Sequence, residues 1–138
     1  MGLDIYRDTD RGLRASWSYG GFHDFSVRLA AAVGINLDTM HGFAKQRPGE
    51  SFVAFARRCD AGTPWPASDD PIHRLINHSD CDGEIVAADC RPIAARLREI
   101  VAGWPEDLGD GGYDKMMALR LAAIMDAAGN AGEAVKFR

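Results

Sequence analysis

Leu3-Asp4-Ile5-Tyr6-Arg7 and Leu13-Arg14-Ala15-Ser16-Trp17, joined by Asp8-Thr9-Asp10-Arg11-Gly12, decide the fold. Each flank partly alternates apolar and polar residues, the period-two spacing that gives a strand one buried face. The joining segment carries Asp and Gly where a hairpin turn needs them. The reading is strand, loop, strand. At the far end of the chain, Val135-Lys136-Phe137 alternates in the same way and predicts a terminal strand able to pair with the hairpin. Helices lie between. Gly20-Gly21 breaks the strand pattern, after which Phe22, Phe25, Leu29 and Val33 fall on one helical face and Gly34 is placed to close the helix.

From Ile35 to Ala67 the periodicity decides less. Ser51-Phe52-Val53-Ala54-Phe55-Ala56 suits a buried helical turn or a strand equally, between the breakers Pro48-Gly49 and Gly62-Thr63-Pro64-Trp65-Pro66. The second breaker puts Trp65 in a rigid loop, as a lid or a packed connector. Asp70-Pro71 reads as an N-cap with proline at the first helical position, opening a short helix through Ile72, Leu75 and Ile76. Asp89 is placed to cap a third helix with Ile93, Leu97, Ile100, Val101 and Trp104 along one side, stopped by Gly103 and Pro105. Pro92 then falls in its first turn, where an N–H has no intrahelical partner. Asp107 to Gly112 reads as a loop, and a fourth helix runs from about Tyr113 to near Gly129 with Met117, Leu121 and Ile124 inward. The prediction is an α+β fold: about four helices with a small antiparallel sheet formed by the N-terminal hairpin and the C-terminal strand, in a single domain over residues 1–138.

Composition agrees with a globular domain: 46% apolar and 26% charged in 138 residues. Apolar runs such as Leu29–Val33 stop at five residues, far short of a membrane span. Met1-Gly2-Leu3-Asp4 lacks the basic and apolar regions of a secretion signal, and Tyr6 stands where a myristoylation signal has Ser or Thr. A soluble, cytoplasmic protein with no membrane partner is expected. The net charge of −4 argues against non-specific nucleic-acid binding, which draws its affinity from a basic surface. The three cysteines, Cys59, Cys81 and Cys90, are expected as thiols, and a zinc site at His78, Cys81 and Cys90 lacks a fourth ligand at any standard spacing.

Two stretches carry chemistry. The first is His78-Ser79-Asp80-Cys81-Asp82-Gly83-Glu84-Ile85, a tight acidic turn between two predicted helices. With Gly83 at the sixth position of a twelve-residue calcium loop, Asp80, Asp82 and Ile85 fall on the third, fifth and eighth positions, so the region from Pro71 to Gly103 resembles an EF-hand. It departs from that pattern where His78 replaces the first carboxylate and Asp89 the long bidentate Glu, and only one loop is present. His78, Asp80, Asp82, Glu84 and Asp89 are the candidate ligands for Ca²⁺ or Mg²⁺. The competing reading has Asp80 and Asp82 closing Asx-turns, Gly83 supplying a positive φ and Asp89 serving only as a cap.

The second is Trp17-Ser18-Tyr19-Gly20-Gly21-Phe22-His23, which joins a strand to a helix through two glycines. Backbone N–H groups at such a helix start can cradle an anion. Trp17 and Tyr19 offer flat faces for a base or sugar, Gly20 and Gly21 allow close approach, and His23 and Arg28 add charge. A nucleotide or other small phosphorylated molecule is the ligand these residues suit. Alternatively the glycines make a turn, the aromatics pack on the sheet and His23 sits at the surface. The stretch is neither a dinucleotide fingerprint nor a Walker loop, and no nucleophile elbow or paired-histidine zinc helix occurs. His41 falls in an irregular loop and His73 on the short helix near Asp69 and Asp70.

Met1-Gly2-Leu3-Asp4-Ile5, Ser18-Tyr19-Gly20-Gly21-Phe22-His23 and His78-Ser79-Asp80-Cys81-Asp82-Gly83-Glu84, in that order, resemble a group of small uncharacterised bacterial and phage proteins. That resemblance implies no activity; by analogy it points to a phage accessory protein that binds a host protein or sequesters a signalling nucleotide. Three expectations result. The first is a non-enzymatic binder of a small phosphorylated molecule, with its site between the glycine-rich helix start and the acidic turn. The others are a cation-stabilised interaction module and a metal-dependent phosphodiester hydrolase using His78, Asp80 and Asp82. The oligomeric state stays open.

Overall fold

The hairpin forms: β1 (Gly2–Arg7) pairs antiparallel with β2 (Asp10–Ser18), Leu3 opposite Trp17 and Ile5 opposite Ala15. A computed structural model describes residues 2–43, 46–65, 69–79, 81–106 and 110–138. The expected five-residue loop shrinks to the turn at Asp8-Thr9, because β2 begins at Asp10 and a register shift after Tyr6 sets Arg7 opposite it. Glu133 holds that tip: its carboxylate accepts from the Thr9 amide at 3.0 Å and the Thr9 hydroxyl at 2.7 Å.

Helix α1 (Tyr19–Ala32) follows β2 directly, with Ser18 as its N-cap. The undecided apolar stretch forms α2 (Phe52–Asp60). Helix α3 (Ile72–Ile76) has Pro71, not Asp70, at its cap position, and the Asp70 carboxylate just before it accepts from the Ile72 amide at 3.1 Å. A two-residue strand, β3 (Glu84–Ile85), has no counterpart in the sequence reading. Helices α4 (Ala87–Val101) and α5 (Asp110–Ala131) complete the helical layer, and β4 (Val135–Phe137) ends the chain. The sheet order is β2-β1-β4-β3, antiparallel throughout.

Two helix starts differ from the sequence reading. Helix α4 starts two residues before Asp89, with Val86 in extended conformation as its cap, so Asp89 lies in the first turn instead of capping it. Pro92 therefore falls one turn deeper than expected, and its missing N–H leaves the carbonyl of exposed Ala88 to water. Helix α5 starts at Asp110, inside the segment read as a loop, while residues 107–109 lie outside the described residues.

The core lies between the sheet and the helices. Leu3 and Ile5 of β1, Ala15 and Trp17 of β2, and Val135 and Phe137 of β4 are all buried, as alternation dictates. Phe22 and Phe25 of α1 meet Trp17, whose ring stacks on Phe25 at 4.7 Å and meets Phe22 edge-on at 5.5 Å, and Leu29 of the same helix is buried in this core. Helices α4 and α5 form the most extensive helix pair, burying Ile93, Leu97 and Val101 against Leu121, Ile124 and Met125. Lys115 of α5 donates to the carbonyls of Ala102 (3.3 Å) and Trp104 (3.0 Å), serving the C-terminal end of α4. No helix among the described residues is long and apolar enough to cross a membrane.

Candidate ligand-binding site

The start of α1 stands beside two clefts. The sequence places glycine at position 21 for a close approach: a Cβ there would lie 2.9 Å from the Ser18 hydroxyl oxygen, which accepts from the Gly21 amide at 3.0 Å. Capping satisfies that amide within the protein. Gly20 is exposed, with open space around its Cα, and Tyr19 is exposed at the helix start.

The larger cleft, about 610 Å³, runs between the first turns of α1 and the turn that follows α3. Phe22, His23 and Ser26 line it from α1, and Asn77, His78 and Ser79 from the turn. The glycine-rich helix start and the acidic turn, distant in sequence, thus share a wall. Two further segments close it: His41-Gly42-Phe43 and Trp65. They are tied by a parallel bridge between Met40 and Thr63, with the His41 amide donating to the Thr63 carbonyl and the Thr63 amide to the Thr39 carbonyl, each at 2.9 Å. Phe43 and Trp65 meet edge-to-face at 5.7 Å.

Several polar groups on this wall lack protein partners. The Ser26 side chain is only 3% exposed, lies on the cleft, and makes no hydrogen bond among the described residues. The buried indole N–H of Trp65 likewise finds no acceptor among them. The imidazoles of His23 and His41 make no hydrogen bond or ion pair there either. The Trp65 N–H is itself sealed from solvent, whereas the Ser26 hydroxyl, the half-buried His23 and the exposed His41 lie on the cleft, where a ligand that accepts hydrogen bonds could meet them.

His78 is held differently. Its ring nitrogens face the carbonyls of Ser79 (2.9 Å) and Glu84 (3.2 Å), and its plane stacks on Phe137 at 3.9 Å. Gly83, at φ 96°, lets the chain reverse beneath that ring and pass into β3.

The other acidic-turn residues disperse. Glu84 accepts from Lys136 across the β3–β4 pair at 2.6 Å, and that carboxylate holds Lys136 above the ordinary lysine range. Asp89 is bound to Arg74. Asp82 is exposed, and Asp80 lies outside the described residues. Among the described residues no three His, Cys, Asp or Glu side chains converge to hold a metal ion. The carboxylates of Glu84 and Asp89 thus serve cations of the chain itself.

The second cleft, about 450 Å³, takes Trp17, Gly21 and Arg28. Here Asp114 of α5, 6% exposed, accepts from the Trp17 indole N–H at 3.1 Å and from the Arg28 guanidinium at 3.0 Å. Trp17 is itself 4% exposed and packed, leaving only its edge for a ligand. The six residues expected to form one ligand site are therefore divided: His23 on the larger cleft, Trp17, Gly21 and Arg28 on the smaller, Tyr19 and Gly20 on neither.

No protein-family model matches the chain, nor does any curated protein or solved structure.

The sequence reading missed Ser26, Phe43 and Asn77 as cleft residues, left His41 as a loop residue without a role, and read Trp65 only as a lid or a packed connector. Local pattern carries no signal for them, because the cleft depends on the Met40–Thr63 bridge. Asp114 did leave a trace: it sits three and seven residues before Met117 and Leu121, a charge on the apolar face of its helix.

Proposed function

We propose that the protein binds a small phosphorylated ring compound, of nucleotide type, in the larger cleft. The observation that carries this reading is a set of side chains on one cavity that make no hydrogen bond among the described residues, the Ser26 hydroxyl and the imidazoles of His23 and His41, beside the rings of Phe43 and Trp65. Phosphate, carbonyl and ring-nitrogen acceptors are what such donors bind, and the faces of Phe43 and Trp65 suit a planar ring. A cleft of about 610 Å³ is of the size that holds such a molecule. Binding without turnover would let the protein sequester a signalling nucleotide. The test is calorimetric titration with adenine and guanine nucleosides and nucleotides, alongside His41→Ala, a substitution at an exposed side chain. Saturable binding that the variant weakens about tenfold or more is expected. No binding by any of these compounds sinks the reading.

A protein-interaction role rests on a separate observation. Phe52 and Val53 of α2 are 74% and 60% exposed, the most exposed large apolar side chains among the described residues, and no residue of α2 is buried. If that surface binds a partner, Phe52→Asp removes the association and leaves nucleotide titrations unchanged; weakened nucleotide binding in that variant would argue against the division of roles.

A further inference from the structure

Resting on the ligand reading above, we infer that the ligand enters ring first: the Ser26 hydroxyl pairs with a polar atom on the ring's edge, against the α1 wall, while the phosphate stays in solvent at the mouth. Ser26 lies in the middle of α1, where the backbone N–H and C=O groups are bonded to each other along the helix. It is 3% exposed, lines the cleft and makes no hydrogen bond among the described residues. A helical serine commonly turns its hydroxyl back to the carbonyl four residues earlier, which here belongs to Phe22. Ser26 does not make that bond. Alanine would suit both the helix and the burial better, because it has the higher helix propensity and no hydroxyl to satisfy. A nearly buried hydroxyl that serves neither helix nor core is explained by a partner that comes from outside.

Its surroundings indicate which end of the ligand that partner is. Phe22, 2% exposed, sits one turn before Ser26 on the same helical face and lines the same cleft. Its ring is fixed by Trp17 at 5.5 Å, Phe25 at 6.1 Å and Phe137 at 6.3 Å, so this part of the wall is a rigid aromatic surface. The lining residues His41, Gly42, Asn77 and Ser79 are exposed and mark the open side. A planar ring set against Phe22 brings its edge to Ser26. The hydroxyl both donates and accepts, so a ring nitrogen, carbonyl or amino group completes it. A phosphate pressed against Phe22 would exchange its hydration for a single hydroxyl, whereas on the open side it keeps its water.

The experiment compares Ser26→Ala with the unaltered protein in calorimetric titrations against adenosine, AMP, guanosine, GMP and ribose 5-phosphate, and in urea denaturation. The substitution is expected to weaken a nucleoside and its nucleotide by the same factor, about fivefold, because the hydroxyl meets the ring that both share. Ribose 5-phosphate, which has no base, should show no loss. The urea midpoint of the variant should equal or exceed that of the unaltered protein, since no bond is removed from the fold. A loss confined to the nucleotide, or nucleotide binding without measurable nucleoside binding, places the phosphate at Ser26 and overturns the orientation while leaving the ligand reading in place. Equal affinities in variant and unaltered protein remove Ser26 from the site. A clearly lower midpoint shows the hydroxyl bonded within the fold and overturns the assignment as well. Absence of binding by every compound overturns the ligand reading and this inference together.

Discussion

The imidazole of His78 lies against the ring of Phe137, centroids 3.9 Å apart and planes 29° apart. Phe137 belongs to β4, and its amide donates to the Gly83 carbonyl at 3.0 Å, so the ring contact and the backbone bond clasp the same turn. His78→Ala removes the stacking and both carbonyl contacts; a loss of about 1–2 kcal/mol is expected by urea denaturation. Amide exchange at Phe137 should accelerate more than exchange in α5. Equal acceleration in both would mean that the turn is not a local unit.

Asp114 is the one buried carboxylate among the described residues and joins α5 to β2 and α1 through Trp17 and Arg28. Asp114→Ala leaves the indole N–H without an acceptor and the guanidinium without its counter-charge. The expected cost is about 2–4 kcal/mol, whereas Asp114→Asn, which keeps an acceptor for Trp17, should lose about half of that. A double-mutant cycle with Arg28→Ala checks the pair: because Arg28 is 41% exposed, its coupling should be only about 1 kcal/mol.

Glu50 ties the chain before α2 to the helix itself. Its carboxylate accepts from Arg58 at 2.8 and 3.0 Å and from the Arg47 amide at 3.0 Å. Those bonds, the Arg58 guanidinium first, lower its pKa from 4.5 to about 2. A carboxylate with a depressed folded pKa stabilises fully above its unfolded value and loses that contribution as protonation sets in. The α2 amide shifts are therefore expected to drift toward coil positions as pH falls from about 4.5 to about 2, and Glu50→Gln should show that drift already at pH 7. A variant with native shifts at pH 7 would remove Glu50 from this role.

The three cysteines should separate by reactivity. Cys81 is exposed, Cys59 half-buried and Cys90 buried. Burial, with the Asp89 carboxylate adding to it, pushes the Cys90 thiol up to about 11, so its thiolate is scarce at neutral pH. Labelling at pH 8 followed by peptide mass mapping should modify Cys81 first and Cys90 only as fast as the protein unfolds. Early modification of Cys90 would show that the start of α4 opens locally.

Features written in local pattern were legible before the structure. The alternation in Leu3–Arg7 and Leu13–Trp17 gave the hairpin, the spacing of Phe22, Phe25 and Leu29 gave α1, and Val135-Lys136-Phe137 gave the terminal strand. What depended on distant partners was not. β3 is two residues long and exists because β4 offers it an edge, and α2 stayed ambiguous because none of its residues is buried. The candidate site was half legible: His23 and His78 do share a cleft, but Arg28 turned to an acid on another helix, and His41 and Trp65 entered through a bridge that no spacing announces.

The position of β4 has a consequence in time. Residues 135–137 sit between β1 and β3 in the finished sheet. A ribosome delivers β4 more than a hundred residues after β1, so Ile5 and Tyr6 must wait for Phe137 and Lys136 with one edge of their strand unserved. During that wait the nascent hairpin is an open template for any other extended chain. The arrival of β4 therefore ends the period in which this hairpin is most prone to pair with the wrong partner.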